Sequence, residues 1–337
     1  MDRTEFEKRL RSLVVPEGTS ATNLIRMVLP LRDALIDMTP GSLFRYRSCE
    51  EKHIDAFEKD KIYAVPADWF NDPYDTLVRY DFDGIKKYVE QIASIDGLEQ
   101  LKFFYSQGND FSPEFKQMFP DELWASLRER VLEIDDIRSV KDGIENSKQQ
   151  LLSLISTCFP ILSFFGKRFS TIACFSEDVR SILMWSHYAD SHRGFALEYD
   201  FRSTLNDPLP RVGLYPVIYS EERYDASAYL TWALLTVMGI KAFNPDISAN
   251  IKAALYKSNL WEYEKEWRMI DPGPHDILNP APTFIEYRPK AIYYGQNIEA
   301  RNKEWLHAIA EEKGIEEFEM MIDCKGEGYG MEVRSLE

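Results

Sequence analysis

Basic residues are in short supply. Against 56 aspartates and glutamates stand 40 lysines and arginines, giving 337 residues a formal net charge of -16. Binding a phosphate backbone takes a basic surface, so a general nucleic-acid binder is excluded, although one local basic cleft is not. Cysteine is scarcer. Cys49, Cys158, Cys174 and Cys324 stand far apart, with no CxxC and no metal-type cluster, which fits reduced thiols in the cytoplasm. No apolar run approaches the roughly 18 residues of a membrane span. The opening stretch MDRTEFEKRLRSLVVPEG has no apolar h-region, so no secretory signal and no membrane contact are expected. The chain also lacks GxGxxG, GxxxxGK[ST], HExxH and GxSxG, which removes the familiar nucleotide loops, the zincin helix and the nucleophile elbow. His187 and His192 are badly spaced for one helix face, and Ser186, His187 and Asp190 diverge around a helix, so neither zinc nor a Ser/His/Asp triad is expected.

What is present suffices for a large core, at 45% hydrophobic and 13% aromatic residues. Residues 1–337 read as a single domain. Residues 1–40 form two helices, Thr4–Leu13 and Ser20–Met38, the second with Pro30 inside it. Ser42–Arg47 and Lys61–Val65 are strands around a helix near Glu50–Lys59. From 82 to 156 the pattern becomes helical, acidic and polar (Ile85–Ile95, Leu98–Gln107, Pro113–Ile134, Asp136–Ile155), which reads as a helical insertion or lid. Residues 157–337 return to the core. Strands are expected at Val212–Ser220, Pro280–Tyr287 and Lys290–Tyr294, with helices at Tyr224–Phe243, Pro245–Ser258 and Asn297–Gly314. A terminal pair of strands follows at Phe318–Cys324 and Gly330–Arg334. Strands arrive too irregularly for βαβ repeats, so the fold class is α+β, a mixed, largely antiparallel sheet with flanking helices.

The chain is organised around Thr171–Asp200, read as strand, short helix Ser181–Tyr188, turn and strand. Ser176, Trp185, Ser186, His187, Tyr188, His192 and Arg193 gather near strand ends, where sites are commonly built. The same side chains could instead close a core. Asn71-Asp72-Pro73 is a strong turn signal, either a structural turn or a pocket loop. In Trp261–Ile270, which runs from a helix end or loop into a strand, Glu262, Glu264 and Glu266 alternate. An extended segment would put all three on one side, with Arg268 able to pair with Glu266. A carboxylate there can hydrogen-bond a ribose and stabilise positive charge at an anomeric carbon, or it can belong to a solvated Glu–Arg ladder.

LFRYR (43–47), WFNDPYD (69–75), CFSED (174–178), MWSHYADSHRGFALEYD (184–200), YEKEWRMI (263–270) and IYYGQNI (292–298) occur in this order. Together they resemble the bacterial family catalogued as domain of unknown function 2971, over about residues 43 to 320. A more distant resemblance is to the ADP-ribosyltransferase superfamily, which includes bacterial toxins and phage-defence effectors. It implies an ADP-ribosyltransferase-like fold with NAD as substrate and no metal. Arg45 would hold NAD phosphate or ribose, Ser176 the nicotinamide ribose, and Glu266 the oxocarbenium-like transition state. Tyr46, Asn71, Asp72, His187, Tyr188 and Glu264 would complete the NAD cleft. Two other classes stand beside this one. A non-catalytic module would bind a small ligand, or a protein through the helical insertion. A metal-dependent nuclease would use Asp72, Asp75, Glu198 and Glu266, against the acidic surface.

Overall fold

The computed structural model describes residues 3–16, 18–92, 95–109, 128–135, 141–203, 213–237, 246–273, 276 and 278–336. In chain order its helices are α1 (Arg3–Ser12), α2 (Ala21–Met38), α3 (Glu51–Glu58), α4 (Phe82–Ile92), α5 (Ile95–Ser106), α6 (Lys141–Gly166), α7 (Ile182–Tyr188), α8 (Ser227–Val237), α9 (Ala249–Ala253) and α10 (Ala300–Lys313). Its strands are β1 (Leu43–Arg47), β2 (Lys61–Pro66), β3 (Thr171–Ser176), β4 (Phe195–Tyr199), β5 (Gly213–Pro216), β6 (Ile218–Ser220), β7 (Tyr256–Ser258), β8 (Glu266–Asp271), β9 (Thr283–Glu286), β10 (Ala291–Tyr294), β11 (Glu316–Ile322) and β12 (Met331–Ser335).

The main sheet runs β12-β11-β10-β4-β1-β3-β2-β9, with β8 and then β5 branching from β3. Pairing is antiparallel except for β10 with β11 and, in a separate two-stranded sheet, β6 with β7. The fold is α+β with a mixed, largely antiparallel sheet. Strand position follows composition. β4 (FALEY) and β10 (AIYY) are buried at every residue and lie inside the sheet, whereas β9 alternates half-buried and exposed residues at an edge. Phe6, Leu10, Leu31, Leu35, Ile54, Phe57, Leu306 and Ile309 bring α1, α2, α3 and α10 onto one hydrophobic cluster with Phe175, Leu197, Trp267 and Ile292. Met184 and Trp185 of α7 pack in another with Phe44, Tyr46, Ala196 and Tyr293. The helices α4, α5, α6 and α8 share a third cluster around Ile85, Tyr105, Phe159 and Leu230. Among the described residues no helix is long and apolar enough to cross a membrane.

The turn between α7 and β4 is tightly built. Asp190, Ser191 and His192 all hold positive φ, at 48°, 55° and 67°. A Cβ on Gly194 would meet the Arg47 carbonyl at 2.0 Å, so only glycine lets β4 start against β1 here.

Three expected elements differ. The described part of Val212–Ser220 is two strands: β5 ends at Pro216 beside β8, the Val217 amide still donates to the Glu266 carbonyl (3.0 Å), and β6 then leaves to join β7. Within Pro245–Ser258 only Ala249–Ala253 is helical, and Tyr256–Ser258 is drawn into a strand by its pairing with β6. Glu262 and Glu264 lie in a 3-10 turn, Asn259–Glu264, and not in a strand. Of the helix expected over Asp136–Ile155, the described part belongs to α6, which starts at Lys141 and continues to Gly166. Residues 110–127, 136–140 and 238–245, where parts of other expected helices fall, lie outside the described residues.

Candidate functional site

A split in the sheet creates the main cleft. β3 is paired with β8 from Thr171↔Asp271 to Ser176↔Glu266. Its other edge is divided: β1 meets it at Phe44↔Ser176, and β2 at Val65↔Ile172 and Pro66↔Thr171. Between these contacts β1 diverges to run beside β4, and β2 to run beside β9. The gap opens into a cleft of about 370 Å³, lined by Arg45, Arg47, Trp69, Asn71, Asp75, Cys174, Ser176, His187, Tyr188, Lys257, Glu264 and Glu266 among others.

Arg45 reaches across the split. Its Nη2 donates to the Tyr63 carbonyl of β2, and its guanidinium lies over the Phe175 ring at 5.6 Å. It is 7% exposed, yet Nε and Nη1 have no partner. Burial, with Arg47 nearby, lowers its pKa to about 9, so it stays cationic at neutral pH. Two buried, unsatisfied cationic N–H groups beside a cleft are suited to an anion.

The same cleft is lined by Asp75, Lys257, Glu264 and Glu266, which with Arg268 form a buried ionic cluster. Lys257 Nζ donates to Glu264 Oε2 (2.5 Å) and Glu266 Oε2 (2.8 Å) and lies 3.6 Å from Asp75. Arg268 donates to Glu266 Oε1 through Nε (2.9 Å), to Asp75 Oδ2 through Nη2 (2.7 Å), and to the Ala254 carbonyl through Nη1 (2.7 Å). The Tyr188 hydroxyl donates to Glu264 Oε1 at 2.6 Å, with Asn71 beside the same phenol. Three carboxylates thus share two cations. Burial and the neighbouring Glu266 raise the Glu264 pKa to about 7. Burial opposes ionisation of Glu266 too, but Arg268 and Lys257 outweigh it and hold that carboxyl well below the usual range. Two adjacent carboxylates are pushed apart, the pattern that divides acid–base work from charge stabilisation. Burial raises the Cys174 thiol well above its ordinary value, so this cysteine is not a ready nucleophile.

Glu264 has a consequence for stability. Its folded pKa of about 7 lies above the ordinary 4.5, so the folded state holds this proton more tightly than the unfolded chain does. The wild type therefore loses stability as pH rises from about 4.5 to about 7, and the loss is complete above that window. Glu264→Gln removes this titration. Urea denaturation of the two proteins should place the variant higher relative to wild type at pH 8 than at pH 5; a pH-independent difference would contradict the assignment.

The expected site residues come together only in part. Arg45, Tyr46, Asn71, Ser176, His187, Tyr188, Glu264 and Glu266 all line the cleft. Asp72 does not: its Oδ1 accepts from the Tyr74 amide (2.8 Å), as the Asn-Asp-Pro turn requires, and it lines a neighbouring hollow. Ser176 is fully buried, with its hydroxyl donating to the Glu264 carbonyl (2.7 Å) and accepting from the Asp178 amide (3.2 Å); it holds the turn that carries Glu264. The Tyr46 hydroxyl donates to the Asp178 carbonyl while its ring packs edge-on to Trp185. Trp185 Nε1 bonds Val179, and His192 stacks on the Trp185 ring away from the cleft lining. Glu262, Glu264 and Glu266 do not share a strand face. Lys265 takes φ 45° between the last two, and that left-handed turn aims both at Lys257. No sequence motif signals Lys257. The sequence suggests Asp75 only as a nuclease ligand, and among the described residues no group of three or more His, Cys, Asp or Glu could hold a metal ion.

Neither a curated protein nor a solved structure matches this chain. Residues 184–269, which carry Tyr188, Lys257, Glu264, Glu266 and Arg268, match the family described as "Protein of unknown function (DUF2971)", and this match, over less than half of the chain, supports the DUF2971 family.

Proposed function

We propose that the cleft binds NAD or a closely related nucleotide and transfers or hydrolyses its glycosyl group. The observation that carries this reading is the pairing, in one cleft, of unsatisfied Arg45 donors with the Glu264/Glu266 carboxylates. A substrate fitting both has phosphate at one end and a centre that becomes cationic at the other. In the reaction the C1′–N bond to nicotinamide breaks and its electron pair leaves with neutral nicotinamide. Positive charge develops at C1′, where ionised Glu266 stabilises it. Water or an acceptor O–H or N–H then adds to C1′ and loses its proton to Glu264. The aromatic groups Trp69, His187 and Tyr188 on the lining suit stacking against a flat ring.

A second reading has one observation in its favour. Each oxygen of Glu264 and Glu266 already accepts a hydrogen bond from within the protein, as in a purely structural network around a non-catalytic ligand cleft. Calorimetric titration with NAD tests what the two readings share. Saturable binding is expected, weakened about tenfold or more by Arg45→Met, in line with the ~1.5–3 kcal/mol of a charge-assisted hydrogen bond. No binding, or equal binding by the variant, would refute a nucleotide cleft anchored at Arg45.

A further inference from the structure

Lys257 stands between two hollows. One is the cleft; the other, of about 300 Å³, is bounded by Asp72, Tyr74, Glu221, Arg223, Lys257 and Trp261 among others. Asp72 is 6% exposed, and its Oδ2 has no hydrogen-bond partner although Oδ1 caps the Tyr74 amide. A buried carboxylate oxygen left unsatisfied calls for a donor, and best for a charged one. The rest of the wall agrees. Glu221 is exposed at the rim, and Tyr74 is 63% exposed. Trp261 already lies 5.1 Å from the Lys257 ammonium, a cation–π contact. The positive charges in the wall already have partners. Lys257 is held by Glu264 and Glu266, while Arg223 donates to the Val78 carbonyl (3.4 Å) and lies over Tyr74.

We infer that this second hollow is a binding site for an organic cation, an ammonium or guanidinium group on a short apolar stem, with Asp72 as its counter-ion. Lys257 joins the hollow to the carboxylates of the cleft, so a cation bound here sits on the far side of the same ionic cluster. This binding does not depend on the reading given above.

Titration calorimetry with propylguanidinium chloride, in the absence of NAD, tests the site, with propylurea as the neutral counterpart of similar shape. Saturable binding of the cation is expected, with no detectable binding of propylurea. Asp72→Asn keeps an oxygen to cap the Tyr74 amide but removes the charge, and should weaken the cation about tenfold. Should that variant fold poorly by circular dichroism, Glu221→Gln at the exposed rim provides the comparison, with an expected two- to threefold loss. Absence of binding, equal binding of propylurea, or an affinity untouched by the substitution made would each overturn the inference. Since no NAD is in the cell, failure here leaves the cleft's reading standing, and failure of NAD to bind leaves this one standing.

Discussion

Replacing Arg268 by methionine should lower the unfolding free energy by about 3–5 kcal/mol, the usual cost of removing one partner from a buried ion pair. Arg268 is completely buried and serves Glu266, Asp75 and the Ala254 carbonyl at once. Methionine fills much of the volume but leaves Asp75 and Glu266 with only Lys257 to balance them, and frees a buried carbonyl. Arg268→Lys should be nearly as costly, because an ammonium cannot spread its donors over three separated acceptors as the planar guanidinium does. Urea denaturation followed by circular dichroism at pH 7.5 gives the number. A loss under about 1 kcal/mol, the scale of an exposed pair, would mean that the cluster does not organise this part of the fold.

Glu266→Gln should slow glycosyl cleavage about 10²–10³-fold, the range found when one preorganised electrostatic group is removed from a transition state. The substitution keeps one oxygen, for either the Arg268 Nε–H or the Lys257 ammonium, and turns an amide N–H toward the other, so some stability is lost while the secondary structure should persist. What disappears is the negative charge that Arg268 and Lys257 hold ionised beside the cleft. Glu264 cannot replace it, since burial and its neighbour raise its pKa to about 7 and leave it protonated for a large fraction of the time at neutral pH. Comparing initial rates of wild type and variant, with circular dichroism and a melting curve on each, separates this from misfolding. Unchanged turnover in Glu266→Gln would remove Glu266 from the chemistry.

How much of this was readable beforehand depended on whether a feature is local. The runs LFRYR, TIACFS, FALEY and AIYY sit in the buried strands β1, β3, β4 and β10, because a continuous apolar or β-branched run needs no distant information to be recognised. The split in the sheet was not local, since it depends on β1 and β2 sharing one edge of β3 from more than 100 residues away. Lys257 was hidden for a related reason: YKS looks helical beside its alanine-rich neighbours and becomes a strand only through β6. The Glu264-x-Glu266 spacing drew attention to two carboxylates that do line one cleft, but through the wrong geometry. An alternating strand would aim both to one face, whereas the left-handed Lys265 does so after a 3-10 turn. Asp72 and Asp75 illustrate the remaining ambiguity of a turn motif, for one caps its own loop and the other crosses to Arg268.

The central claim is that the cleft cleaves a nucleotide at its glycosidic bond, and nicotinamide release from NAD by the purified protein tests it most directly. The assay should run from pH 6 to pH 9. Release should climb through about pH 7 as Glu264 gives up its proton, because only the carboxylate form can accept one from the incoming nucleophile. Release absent at every pH from a protein that still binds NAD would contradict it and leave a cleft that binds without turnover.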